Sequence, residues 1–230
     1  HRVTGCQTRD AHHRAGLETD GIGQWHGLVR GQGDRLGTGA LVALPLAVPD
    51  PDPFTHARIW HTRAHGHDPA RAVAYYRRAA ELGNNNAMNS LARAYLAGEG
   101  IERDYDEAVS LFEAAIERGN IFAPYHLARM YRDGWGIEQD LAKAAELYRL
   151  AGERGFSGGW IELAALYEAG QGVPQDLGEA YFWFYVAREM ALQRSANDPV
   201  YKAAQERADE LARGLTLAER ITIERRAENW

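Results

Sequence analysis

Apolar side chains in this chain fall in blocks with helical spacing, and the blocks recur every 36 residues. Leu91, Ala92 and Tyr95 lie at i, i+1 and i+4, which predicts one apolar helix face over about 87–97. Leu91 returns as Leu127 and Leu163, and Tyr95 as Tyr131 and Tyr167. A second stripe, Ala108, Leu111, Phe112 and Ala115, has its first position repeated at Ala72, Ala144 and Ala180. Between the stripes stand Gly98 and Gly100, repeated as Gly134 and Gly136 and as Gly170 and Gly172. These stop the first helix, because glycine adopts backbone angles closed to other residues. Asp104, Asp140 and Asp176 then start the second helix by accepting free amides of its first turn, with Asp68 one period earlier. Glu107, three residues after Asp104, is expected to complete a capping-box-like pair, and Pro69 suits the first helical position. Gly83, Gly119 and Gly155 close the second helix. One such hairpin cannot bury its apolar face alone, whereas stacked hairpins can. The expected fold is therefore all-α, a right-handed alpha-alpha superhelix (an alpha-solenoid) of about three and a half 36-residue helix-hairpin repeats with a C-terminal helical cap.

The repeated unit, A-x-x-x-L-A-x-x-Y-x-x-G-x-G-(I/V)-x-x-D-x-x-(K/E)-A-x-x-(L/W)-(Y/F)-x-x-A-x-x-x-G, resembles the Sel-one-like repeat, a relative of the tetratricopeptide repeat. Units 87–119, 123–155 and 159–187 match it nearly throughout, and 68–83 matches over its second helix. The third unit departs where Gly159 replaces alanine, and it lacks the closing glycine. The 36-residue period and the internal G-x-G distinguish the unit from the 34-residue tetratricopeptide repeat. The resemblance implies a non-enzymatic scaffold or adaptor that brings other proteins together, as many bacterial signalling and envelope factors of the family do. Two alternatives come with it. One is a regulatory repeat region of a larger protein. The other is a beta-lactam hydrolase of the family's cysteine-rich branch, which carries paired cysteines in every repeat, whereas residues 54–230 contain none.

The flanks divide the chain into a solenoid, 54–230, and a leader, 1–53. Residues 54–67 suit a degenerate first helix in which Phe54 and Trp60 cover the first hairpin. Residues 199–230 suit a polar cap, with a capping box at Thr216 and Glu219. Asn197-Asp198-Pro199 reads as the turn before it. The leader holds nine of the 24 glycines and one of the 23 aromatic residues, too little apolar bulk to offset the entropy of ordering. It is expected to be disordered, or to be sequence upstream of the true start, since the chain opens at His1. Arg30 and Arg35 precede an apolar stretch, Leu36 to Val48, of signal-peptide length. Asp34 at its edge and the lack of a small-x-small cleavage site favour a linker.

Charge and cysteine content narrow the chemistry. A net charge of −6 argues against nucleic-acid binding through a basic face. No apolar run reaches the roughly 20 residues of a membrane-spanning helix. Cys6, the only cysteine, closes no intramolecular disulfide, and its position leaves a cytoplasmic and a periplasmic setting equally open. The cluster His61-x-x-x-His65-x-His67-Asp68 contains metal-ligand types, but Asp68 is already needed as a helix cap and no fixed fourth ligand follows, so no metal or other cofactor is expected. His126 stands in a helix with no nucleophile at motif spacing and suits a groove side chain better than a general base.

Positions that vary between repeats on the first helix of each hairpin are expected to line the concave groove. These are Asn89 and Arg93, Tyr125 and Arg129, and Ile161 and Ala165. Arg93 and Arg129, one period apart, suit an acidic peptide or a chain carboxylate, and Tyr and Arg are common interface anchors. The alternative is that both arginines are surface residues paired with nearby glutamates. The expected binding residues are Asn89, Arg93, Tyr125, Arg129 and Ile161, for a protein or peptide partner, on a monomer. Within Tyr181-Phe182-Trp183-Phe184-Tyr185, Trp183 and Phe184 match core positions. Tyr181 and Tyr185 are expected to pack on the cap, or else to form an exposed partner patch.

Overall fold

Each aspartate that follows a G-x-G loop starts a helix by the bond the sequence implies. Asp104 Oδ1 accepts the Glu107 amide at 3.1 Å, Asp140 Oδ1 the Lys143 amide at 2.9 Å and Asp176 Oδ1 the Glu179 amide at 2.9 Å. Asp68 does the same for Arg71 at 3.0 Å. The computed structural model describes residues 53–61, 68–194 and 199–230. The leader, the apolar stretch 36–48, the side chains of Trp60 and His61, His65, His67 and the turn at Asn197 and Asp198 lie outside the described residues.

The described residues form helices and no strands. In chain order these are α1 (Pro53–His61), α2 (Pro69–Glu81), α3 (Asn85–Ala97), α4 (Tyr105–Glu117), α5 (Ala123–Asp133), α6 (Leu141–Glu153), α7 (Ser157–Ala169), α8 (Leu177–Arg194), α9 (Pro199–Ala212) and α10 (Leu217–Glu228). From α1 to α9 each helix packs on its neighbours in sequence, the arrangement of an alpha-solenoid. The fixed positions form its core. Leu91, Leu127 and Leu163, and Phe112, Tyr148 and Phe184, are all buried. Ala108, Ala144 and Ala180, fully buried, let neighbouring helices approach closely. At the N-terminal end, Phe54 of α1 meets Tyr76 of α2 with ring centroids 6.1 Å apart.

The expected reciprocal bond from Glu107 is absent from the Asp104 cap. The Asp104 amide is already donated across the loop to Tyr95 O at 3.2 Å, so nothing is left for Glu107 to accept. Asp140 and Asp176 make the same loop-closing bond to Tyr131 O and Tyr167 O. At Thr216, no such bond competes, and the full capping box with Glu219 forms.

The two loop glycines do different work. Gly134 ends α5 in the left-handed region at φ 68°, and a methyl group there would meet only ordinary contacts. Gly136, also left-handed at φ 71°, lies directly on the first residue of the preceding repeat's second helix, where an added Cβ would come within 2.1 Å of Tyr105 Cβ. Gly100 and Gly172 lie equally close to the backbones of Pro69 and Leu141, each at the start of α2 or α6. The second glycine is thus the point at which one repeat seats on the one before it.

A polar clip joins repeats at the opposite turns. Asn120, 2% exposed, accepts the Phe122 and Ala123 amides and donates to Asn85 O and to Asn86 Oδ1. Arg154 donates in turn to Asn120 O at 2.9 Å. In the third copy the clip gives way to Phe156, whose ring packs edge-on against Phe122 and Tyr125.

That copy also explains its own departure at Gly159. A Cβ there would fall 2.4 Å from Tyr148 O, so α7 lies closer to α6 than alanine permits. Gly152 leaves room for the Trp160 indole in the same way. Trp160 stacks on Trp183 with centroids 4.3 Å apart and an interplanar angle of 11°, and Trp230 closes edge-on over both. With no closing glycine, α8 runs on to Arg194. The α9–α10 connection has no G-x-G loop, and α10 packs on α8. Tyr181 is buried and donates to Glu224 Oε1 of α10 at 2.6 Å, so it packs on the cap, while Tyr185 lies beneath the Arg188 guanidinium.

Substituting the two glycines separates their roles. Gly134→Ala is expected to cost about 1 kcal/mol, the strain of a left-handed alanine. Gly136→Ala adds the overlap with Tyr105 and is expected to cost roughly 2–4 kcal/mol. Urea unfolding of the two variants checks this, and equal costs would contradict the seating role.

Candidate functional site

The first helices α3, α5 and α7 carry equivalent positions one period apart: Asn89, Tyr125 and Ile161; Ser90, His126 and Glu162; Arg93, Arg129 and Ala165. Where the side chains differ, the helices present different chemistry on a common scaffold. Arg93 of α3 is exposed and makes no hydrogen bond or salt bridge among the described residues. Arg129 of α5 is half-buried, with its guanidinium 5.2 Å from the centroid of Trp135, the residue between the loop glycines Gly134 and Gly136. It too forms no salt bridge among the described residues. The aromatic face fixes the cation without neutralising it.

His126 brings the two arginines into one site. It stands three residues before Arg129 on α5, hence on the same face. Its ring stacks on Phe112 of α4, with centroids 5.6 Å apart and planes 25° apart, and meets Tyr125 edge-on. Burial, and then the positive charges of Arg93 and Arg129, push its pKa down to about 4. The imidazole is therefore neutral at pH 7, with two positive charges near enough to act on it.

Tyr125 is half-buried, its ring 4.9 Å from Phe156 and 5.6 Å from Tyr148, and its hydroxyl donates to Glu162 Oε1 at 3.4 Å. Ile161 is half-buried in the core of the third repeat. Asn89 lies beneath the face, 6% exposed, and its Oδ1 finds no donor among the described residues. Arg93 and Arg129 thus hold equivalent positions one repeat apart, with His126 and Tyr125 on α5 beside Arg129, while Asn89 is buried and Ile161 half-buried.

Further along, the charges are paired. Arg132 bonds Glu162 Oε2 of α7 at 2.9 Å and grips Asp133 through two bonds of 2.8 and 3.0 Å. Those bonds hold the Asp133 carboxyl below its ordinary range. Tyr148 is fully buried beside this cluster, its hydroxyl without a partner among the described residues, and burial pushes its pKa up. On α7, Glu168 pairs with Arg207 of α9. Arg132 and Arg207 are thus drawn into ion pairs, whereas Arg93 and Arg129 are not. His126, read from the sequence as a groove side chain, and the Arg132–Glu162 pair were not among the expected binding residues, although Arg132 stands three residues after Arg129. Among the described residues, no three side chains of metal-ligating type come together, and no helix is long and apolar enough to cross a membrane.

Because His126 is neutral in the fold and protonates near pH 6.5 when unfolded, the unfolded chain binds the extra proton in between. Its contribution to stability is full above pH 6.5 and is lost as the pH falls toward 4. Replacing it with glutamine is expected to remove a pH dependence of up to roughly 3 kcal/mol over that range. Urea midpoints of both proteins at pH 7, 5.5 and 4.5 check this, and parallel pH profiles would contradict it.

Comparison with known proteins bears on the repeats. The family profile of the Sel1 repeat matches residues 65–84, 85–120, 122–156 and 161–191, more than half of the chain. Among solved structures, c5321, a protective antigen present in uropathogenic Escherichia coli strains displaying an SLR fold, is similar at 27% identity with a TM-score of 0.55. That match covers 69% of this chain and 37% of c5321, so the chain spans just over a third of that protein's length. A Sel1 repeat protein from Oxalobacter formigenes is similar in fold at 23% identity and a TM-score of 0.56, over 68% of this chain and 69% of that one. A search of curated proteins finds no match.

Proposed function

We propose that this chain, which belongs to the Sel1 repeat family, is a non-enzymatic interaction scaffold that binds a segment of a partner protein along its first helices. The observation that carries this reading is the pair Arg93 and Arg129. They are two cations one repeat apart on an acidic chain, and neither has a carboxylate partner among the described residues. Arg132 and Arg207, by contrast, are paired with acids.

Tyr125 supplies a rigid aromatic surface beside the two arginines, and such residues anchor interfaces at low entropic cost. Asn89 and Ile161 shape that surface from below. The polar groups around it suit recognition better than catalysis. Among the described residues no hydroxyl or thiol bonds to His126, the Tyr125 hydroxyl being bonded to Glu162, and the acid nearest to it in the chain, Asp133, is bound to Arg132. The scaffold would act as a monomer, presenting the α3–α5 face to one partner at a time.

The test is a pull-down from source-organism lysate with this chain as bait, beside a bait carrying Arg93→Glu and Arg129→Glu. Capture of a defined partner by the first bait and its loss from the second, with the second shown by circular dichroism to be folded, is the expected result. Equal capture by both baits would move the site elsewhere on the solenoid.

A further inference from the structure

We infer that Arg93, His126 and Arg129 form a carboxylate-binding site for an acidic segment of the partner, and that occupancy brings a proton onto His126. This rests on the scaffold reading above and names the chemistry of what the face takes. The geometry points to it because Arg93 and Arg129 hold equivalent positions on the first helices of adjacent repeats, and His126 stands three residues before Arg129 on the same face of α5. The Arg93 and Arg129 guanidinium groups both act on the His126 ring, and no acid acts on it. Guanidinium groups present paired N–H donors that match a carboxylate, and charge-assisted bonds of this kind are among the stronger ones available to a surface. Trp135 holds Arg129 in place, so less side-chain entropy is lost when an anion arrives.

Charge also selects among anions. A run of phosphates needs a row of cations, whereas this chain has a net charge of −6 and the next arginine along α5, Arg132, is bound by Asp133 and Glu162. Two arginines one repeat apart on an acidic chain suit one or two carboxylates of a protein segment.

The proton follows from the neighbours of His126. Arg93 faces it from α3 and Arg129 from its own helix, while Phe112 of α4 and Tyr125 offer uncharged rings. In the free protein both charges disfavour the imidazolium. A carboxylate seated between them supplies the missing negative charge, so the imidazole takes up a proton more readily in the complex. Linkage then requires affinity to rise as the pH falls from 7 toward 5.

The probe is a fluorescein-labelled hexa-aspartate peptide with blocked ends, chosen because aspartate stays ionised to lower pH than glutamate. A hexa-asparagine peptide is the control. The expected results at low salt are binding at least tenfold tighter for the aspartate peptide, at least a tenfold loss in each of Arg93→Gln and Arg129→Gln, and tighter binding at pH 5.5 than at pH 7.5. A readout that a merely structural histidine would not move is its own titration. In the full chain, the His126 imidazole resonance, assigned by its absence from His126→Gln, should have its midpoint raised by one pH unit or more with saturating peptide. No preference for aspartate, undiminished binding by the arginine variants, or an unmoved His126 midpoint would each overturn the inference. If the lysate partner is still captured through Arg93 and Arg129 while the aspartate peptide fails to bind, the carboxylate site falls and the scaffold reading stands.

Discussion

The close seat of one loop on the helix before it is the constraint on which the rest of this structure depends. Gly100, Gly136 and Gly172 each place bare backbone against the first residue of a preceding second helix, at Pro69, Tyr105 and Leu141. No side chain fits there, so the distance between repeats is set by bare glycine backbone lying against that residue. The aspartate cap and the bond from its amide to the tyrosine carbonyl hold that loop in one shape. The alanine positions then bring the helices close enough for leucines and aromatic rings to fill the spaces between them. The exposed positions of successive first helices stand at a regular spacing as a result, and Arg93 and Arg129 inherit it.

What differs between copies decides where the site lies. The position occupied by Arg93 and Arg129 is Ala165 in the third repeat, and that of His126 is Ser90 in the first and Glu162 in the third. The third repeat and the cap close the solenoid instead. Glu162 and Glu168 are drawn into ion pairs, and Trp160 and Trp183 are covered by Trp230. Arg93 and Arg129 stay outside such pairs. The scaffold is periodic, and its charge is not.

The period was legible in the sequence because each repeat meets the same partners, so the same side chains return at the same offset. The left-handed glycines and the aspartate caps were legible for the same reason. The closeness of Gly136 to Tyr105 was not, since it joins residues 31 apart and depends on how two helices pack. The missing reciprocal bond from Glu107 has a similar origin: the Asp104 amide is claimed from across the loop by Tyr95. At the site, the arginines could be read from the period, but the depth of each neighbour could not. Asn89 and Tyr125 occupy one repeat position, yet the smaller side chain sinks beneath the face while the larger reaches Glu162. His126 was within reach of sequence reasoning, three residues before Arg129, whereas the stacking ring of Phe112 that fixes its place required the fold.

The most direct test of this account is amide hydrogen exchange on Gly136→Ala beside the parent protein. If the second glycine seats its loop on the preceding repeat, the added methyl group must disturb both sides of that contact. Exchange should quicken in residues 134–140 and also at Glu107 and Ala108, whose amides bond to Asp104 in the first turn of α4. Faster exchange confined to residues 134–140, with Glu107 and Ala108 as protected as in the parent, would show that the glycine shapes only its own loop and would contradict the account.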